Sequence, residues 1–412
     1  MSGVRLLREP AFARLCLASF LSESAEWMLQ VALPVLVFQA TGSASLTAAG
    51  MVLGLLPAVL LSPLAGVLAD RWDRRLLLCG TAVAQLLVAL PLLAAAGNLP
   101  IVYAVMAGQA ASAAVFEPAR NALVPDLLGP DRVVPGNGLI GVGASVARLT
   151  GAWAGGVLLA AGGLPAVLAG YGGALALSVA LLAPRFARAP VVAQPAPAGS
   201  AWRQWLDGLA EFRRDRTLRV AGAVLLVMSV AQGMFLVLFV LFVLRGIGGD
   251  EADVGLLRGV QAIGGIAAGV ALATVARRTA PPVLLGTGTV LVGLVSLLIW
   301  HTPAFTSATS VYVVLFALVG APAVLSMAGL TGVLQNATEP RMTGRVLGTA
   351  FAGVAAGTAT GMLAAGALAD RAGLPVLLTA QALLYVLAGL LALFGLVLRV
   401  SVRLRAPLTG TG

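Results

Sequence analysis

The chain has 412 residues, of which 59% are apolar and only 10% charged, and it carries a net charge of +10. Soluble domains hold about 25% charged residues, and a soluble core of this length cannot hide so much apolar surface, so a water-soluble fold is excluded. Every one of the 26 basic residues is Arg, scattered in short segments between apolar runs with no basic domain among them, which excludes nucleic acid as a partner. One His and two Cys, the latter both inside apolar runs, supply no metal cluster, disulfide framework or His-based triad. The chain is accordingly expected to be no enzyme and to need no cofactor.

At the N-terminus Arg5, Arg8 and Arg14 precede an apolar run, as in a secretory leader. That run is interrupted by Glu23 and Glu26 and continues to Phe38, so it reads as a first membrane helix. A spanning helix needs roughly 17–25 mostly apolar residues. Twelve stretches qualify: 12–39, 44–69, 76–97, 100–118, 135–161, 165–183, 218–244, 253–276, 283–300, 309–333, 345–369 and 374–398. They are long and continuous, whereas a spanning barrel shows alternation over about 10-residue segments. With the N-terminus placed inside, 22 of the 26 Arg fall on inside segments, and Arg245 and Arg371 fall outside. Arg148 and Arg258 lie within helices. That bias predicts both termini on the cytoplasmic side.

Between the sixth and seventh stretches Pro184 to Thr217 is the longest polar segment. It opens with a Pro/Ala linker and continues with Trp202, Trp205, Leu206, Leu209 and Phe212 on one helical face. Two readings fit: a helix lying on the membrane surface, or one packed against the bundle. Three units are expected, a six-helix bundle over 1–184, a linker over 185–217 and a second six-helix bundle over 218–412. The halves resemble each other: Gly163-Leu164-Pro165 recurs as Gly373-Leu374-Pro375, and Gly151, Ala154 and Gly156 recur as Gly361, Ala364 and Gly366. Two such bundles in repeat place a substrate site between them near the bilayer midplane.

The second stretch ends in Gly66-Val67-Leu68-Ala69-Asp70-Arg71-Trp72-Asp73-Arg74-Arg75. This resembles the loop 2–3 motif of the major facilitator superfamily. Further pieces, among them Pro118-Ala119-Arg120-Asn121-Ala122-Leu123-Val124-Pro125 and Gly366-Ala367-Leu368-Ala369-Asp370-Arg371-Ala372-Gly373, resemble its drug-exporter-like branch of macrolide and enterobactin exporters. The likeness spans nearly the whole chain. It departs at Gly151-Ala152, where exporters carry Gly-Pro, and at Ala273, which stands where the first copy has Asp70. The resemblance implies the superfamily's all-α fold, a monomer in the inner membrane of a bacterium, and protons and a small molecule as partners besides lipid.

Charges inside a membrane cost about 2.5–3.5 kcal/mol each and default to function. Ser19, Ser22, Glu23, Glu26 and Gln30 share one face of the first helix and are expected to line the central cavity. At 1.5 Å per residue Glu26 lies ~21 Å beyond Phe12 and Arg148 ~20 Å beyond Pro135, so Glu26 or Glu23 is expected to pair with Arg148 in at least one conformation. Exporters of the resembling branch often use a helix-one acid to carry the proton. A static ion pair is the plainer reading. Arg258, near the start of the eighth stretch, is expected to snorkel to the outer interface or else to face the cavity beside Gln261; Gln109 with Ser112, and Gln232 with Ser229, offer hydrogen bonds to substrate or between helices. Gly66, Asp70, Arg71, Arg74, Arg75, Glu117, Arg120 and Arg345 form the expected cytoplasmic gate, in which Asp70 caps helix eleven. A solvated surface cluster is the alternative. Few aromatics and few cavity charges suit efflux of a hydrophobic drug, natural product or siderophore. A lipid-moving or uptake carrier is the second reading, and a membrane scaffold or sensor the third.

Overall fold

The computed structural model describes residues 3–61, 68, 72–95, 97–184, 201–274, 279–339 and 342–397. Helix α1 runs Pro10–Thr41, followed by α2 (Ala44–Leu61), α3 (Arg74–Ala94) and α4 (Leu99–Leu128). A single helical run, Val133–Leu182, is broken at Gly163 into α5 (133–162) and α6 (164–182). A connecting helix, Ala201–Arg214, leads to α7 (Arg216–Gly246), α8 (Glu251–Ala271), α9 (Pro281–Ala304), α10 (Thr309–Asn336), α11 (Thr343–Ala372) and α12 (Leu374–Val397). Ten of these runs are long and apolar enough to cross a membrane, and one of the ten contains both α5 and α6. Helix α1 is as long, but Ser, Glu and Gln on its polar face lower its apolarity. The protein is thus an all-α, multi-pass membrane protein of twelve membrane helices in two pseudo-symmetric six-helix bundles.

The repeated Gly-Leu-Pro is the same turn used twice. Gly163 has φ 64° and ψ −164°, and Gly373 has φ 78° and ψ 148°. Both conformations are essentially reserved to glycine. The proline that follows each has a fixed φ suited to the first turn of a helix, so α6 and α12 start at once and fold back.

One boundary differs from the sequence reading. The fourth apolar stretch ends at Pro118, yet α4 continues through Pro118 and Pro125 to Leu128. The extension stays helical because it is tied on its inner side: Asp126 accepts an ion pair from Arg74 of α3 at 2.6 Å, and Arg120 is buried.

Helix α5 packs on α1 through glycine: a Cβ on Gly151 would sit 2.4 Å from the Ser24 carbonyl oxygen, and one on Gly155 would sit 2.7 Å from the backbone of Met28. The bundles meet where α5 crosses α8 and α2 crosses α11. At the α5–α8 crossing Gly156 and Gly255 bring backbones together, and a Cβ on Gly255 would come within 2.3 Å of the Ala152 carbonyl. The polar ties between bundles gather at the arginine-poor end. There Ser45 Oγ donates to the Gly366 carbonyl at 2.9 Å, Arg245 donates to the Gly42 carbonyl at 2.9 Å, and Gln39 donates to the Glu251 carboxylate.

Of the two readings of the connecting helix, the structure shows the second. Gly208 lies against Arg345 and Thr349 of α11, and Phe212 covers Gly222 of α7. The side chains of 201–207 lie outside the described residues.

Candidate functional site

The polar face of α1 divides between three neighbours. Ser22 shares a 2.9 Å hydrogen bond with Ser178 of α6, and Ser178 donates to the Ala18 carbonyl at 3.0 Å. Ser19 is also buried. Ser22 therefore joins α1 to its own bundle, and the Ser19 hydroxyl is buried without a hydrogen-bond partner; neither is in the wall of the two cavities described below, contrary to the expectation of one continuous cavity face. The reason is angular: successive helical residues turn by about 100°, which carries Ser22 to the edge of the stripe that Glu26 and Gln30 define.

Glu23 is ion-paired with Arg120 of α4, and Arg120 also reaches Glu117 at 3.4 Å. In the conformation seen here neither helix-one acid pairs with Arg148 among the described residues. The pair with Glu23 also moves Arg120 from the expected gate into the bundle interior, where its side chain is only 7% exposed. The residue escaped the sequence reading as an intramembrane group because the fourth stretch was ended at Pro118.

Glu26 accepts a 2.8 Å hydrogen bond from Gln30 one turn on. It has no cationic partner within 4 Å among the described residues. Glu26, Trp27, Gln30 and Pro34 of α1 form one wall of a cavity of about 270 Å³ between the bundles. The other walls are Met106 and Gln109 of α4, Leu236 and Phe239 of α7, Arg258 of α8 and Met362 of α11. Gln109 is held on both sides: its amide donates to the Gln85 carbonyl at 2.8 Å and its oxygen accepts from Tyr171 at 2.8 Å. Ser112 turns back to the Gly108 carbonyl of its own helix at 2.9 Å.

A second cavity, of about 320 Å³, lies inside the second bundle. Arg148 of α5 enters it from the first bundle, opposite Gln232, Phe235, Gln261, Trp300, Phe316 and Tyr385. Tyr385 donates to Gln232 at 2.8 Å, Trp300 donates to the Gln381 side-chain oxygen at 3.0 Å, and Gln261 donates to the Leu257 carbonyl of its own helix at 3.3 Å. Trp27, Trp300, Gln381 and Tyr385 were not singled out from sequence. For Trp27 a signal existed, since it stands beside Glu26 at the depth of Arg148.

Of the expected gate, Gly66, Asp70 and Arg71 lie outside the described residues. Asp73 caps the start of α3, accepting from the amides of Arg75 at 3.0 Å and Leu76 at 3.1 Å. Arg74 donates to the Ala122 carbonyl at 2.9 Å besides pairing with Asp126. Arg75 reaches the last carbonyls of α6, those of Leu182 and Ala183, where a helix end carries partial negative charge. The basic pair thus binds α3 to α4 and α6 within the first bundle. Glu117 is largely exposed, and Arg345 lies at the start of α11.

No curated protein sequence matches the chain. Solved structures do. A bacterial homologue of the human lysosomal transporter Spinster, in an inward-facing and unoccupied conformation, is 17% identical with a TM-score of 0.67, covering 93% of this chain and 96% of that one. A bacterial homologue of the iron transporter ferroportin, inward-facing, is 15% identical with a TM-score of 0.70, covering 95% and 99%. The nucleoside transporter NupG is 13% identical with a TM-score of 0.76, covering 94% and 100%. At these identities the likeness carries the fold alone. The sequence pattern of the Major Facilitator Superfamily matches residues 15–349. With twelve helices in two bundles and a cavity at their junction, the chain belongs to the major facilitator superfamily and has the fold of its transporters.

Proposed function

We propose that the protein is a proton-coupled exporter of a hydrophobic small molecule, working by alternating access in a bacterial cytoplasmic membrane with both termini inside. The observation that carries this reading is Glu26: an acid in mid-membrane, on the wall of a cavity between the bundles, held by Gln30 and by no described cation. A carboxylate in that position gains a proton when its surroundings desolvate it and loses the proton when water returns. Opening the bundles at one end and then the other supplies that alternation. Glu23, by contrast, is neutralised by Arg120 and acts as a positioning residue for α1. The arginine bias supports the orientation, and the drug-exporter-like motifs support the outward direction.

The test is a toxicity screen in a host lacking its own efflux pumps, followed by proteoliposomes loaded with a pH dye. Expression should protect against at least one apolar toxin, and adding that toxin should move protons. Glu26→Gln should abolish toxin-driven proton movement. Full proton-coupled transport by that variant would remove the assigned role, and accumulation of the toxin in place of protection would turn the reading to uptake.

A further inference from the structure

This inference rests on the transport reading and names the chemistry of the cargo. Arg148 of α5 and Arg258 of α8 come from opposite bundles and converge on Trp27 of α1, their guanidinium carbons 5.9 and 5.7 Å from its ring. Arg258 also lies over Phe235 at 5.3 Å and Phe239 at 6.0 Å. Neither arginine has an ion-pair partner among the described residues, and the Nε of Arg148 is buried without a hydrogen bond. Of the helix-one acids, Glu23 is paired with Arg120, and Glu26, which shares the first cavity with Arg258, is bonded to Gln30 and lies beyond ion-pairing distance of either arginine.

Two guanidinium groups against aromatic rings, with no carboxylate within 4 Å among the described residues, are costly in a low-dielectric interior. Cation–π attraction offsets part of that cost but leaves the Arg148 Nε without an acceptor. Guanidinium groups match carboxylate, sulfate and phosphate oxygens, often with two parallel hydrogen bonds. Beside them the second cavity offers Phe235, Trp300, Phe316 and Tyr385, a lining suited to an apolar body. In its wall the side-chain nitrogen of fully buried Gln381 also lacks an acceptor.

We propose that the cargo is an amphiphilic organic anion, its acidic group held between Arg148 and Arg258 and its apolar body in the aromatic cavity of the second bundle. The lone Arg148 reaching across from the first bundle makes the site complete only while the bundles are apposed, as binding between rocking halves requires.

The test uses three probes of one shape and different charge: 1-naphthaleneacetate, neutral 1-naphthaleneacetamide and the 1-naphthalenemethylammonium cation. Equilibrium binding is measured to the full chain in phosphatidylcholine nanodiscs. The anion should bind at least about tenfold tighter than either other probe. The Arg148→Gln/Arg258→Gln double variant should reduce that ratio below about twofold, and the double Lys variant, which keeps the charge, should retain most of it. Equal binding of the three probes by the native chain overturns the proposal, as does an undiminished ratio in the Gln variant. The native ratio decides even where that variant does not fold. Loss of anion binding in discs containing phosphatidylglycerol identifies a lipid headgroup as the natural occupant; retention identifies a water-soluble anion. The ratio is an equilibrium quantity and fails separately from transport. Toxin-driven proton flux without anion preference sinks this proposal alone, and anion preference without such flux sinks the coupling reading alone.

Discussion

Arg120 and Glu23 show what a buried pair demands of its members. Their side chains are 7% and 16% exposed, so removing one leaves a charge in a poorly solvated interior, at a cost of about 3–5 kcal/mol. Arg120→Ala should therefore lower the thermal unfolding midpoint of the detergent-solubilised protein strongly. The double variant Glu23→Gln/Arg120→Gln should be closer to the native midpoint than either partner's single variant, and a double loss equal to the sum of the two single losses would deny that the pair is coupled. The intramembrane charges were legible in the sequence, because Glu23, Glu26, Arg148 and Arg258 interrupt apolar runs. Their pairing was not. Counting residues gives height along the membrane normal and says nothing about direction around the helix axis. Glu26 and Arg148 do share a height, but α1 presents Ser24 and Met28 to α5. Two residues of rotation put Glu26 about 200° from Ser24, on the far side of the helix.

At the scale of elements, the turns at Gly163 and Gly373 explain why a short sequence repeat could be read so far. Both φ values are positive, 64° and 78°, so a side chain at either position is strained by about 1–3 kcal/mol. Gly163→Ala and Gly373→Ala should each lower the unfolding midpoint, whereas Gly138→Ala, a helical position with nothing within 4 Å of an added Cβ, should not. A fall of the same size at Gly138 would show that the turn conformation is not the cause. Twelve hydrophobic stretches were visible because spanning lengths are dictated by the bilayer. The continuation of α4 past Pro118 was invisible, since it depends on Asp126 meeting Arg74 from a different helix. The connecting helix was undecided for a similar reason: an apolar stripe does not say what covers it, and only Gly208 against α11 and Phe212 over Gly222 do.

On the scale of the whole molecule, apposition of the bundles at the arginine-poor end is a testable part of alternating access. Gln39 of α1 and Glu251 of α8 are hydrogen-bonded across that end through the tips of their side chains, so a Gln39→Cys/Glu251→Cys pair, with Cys16 and Cys79 replaced by Ser, should be bridged by a short bis-methanethiosulfonate cross-linker. Cross-linking should stop transport and reduction should restore it. Transport undiminished by a complete cross-link would mean that this end need not part. Gly156→Leu at the α5–α8 crossing should hinder apposition, because its backbone neighbours at Glu251 and Gly255 leave no room for a side chain. Limited proteolysis should then cut the loops at that end faster than in the native chain.

The polar ties at that end have an energetic meaning for how the molecule cycles. Two hydrogen bonds to backbone carbonyls and one to a carboxylate, each worth about 0.5–3 kcal/mol net, make a clasp of only a few kcal/mol. Moving one elementary charge through 100 mV releases about 2.3 kcal/mol. If transport moves one or two charges as proposed, the clasp is of the size that the voltage of an energised membrane unfastens: firm enough to keep the door shut between turnovers, loose enough to open within one.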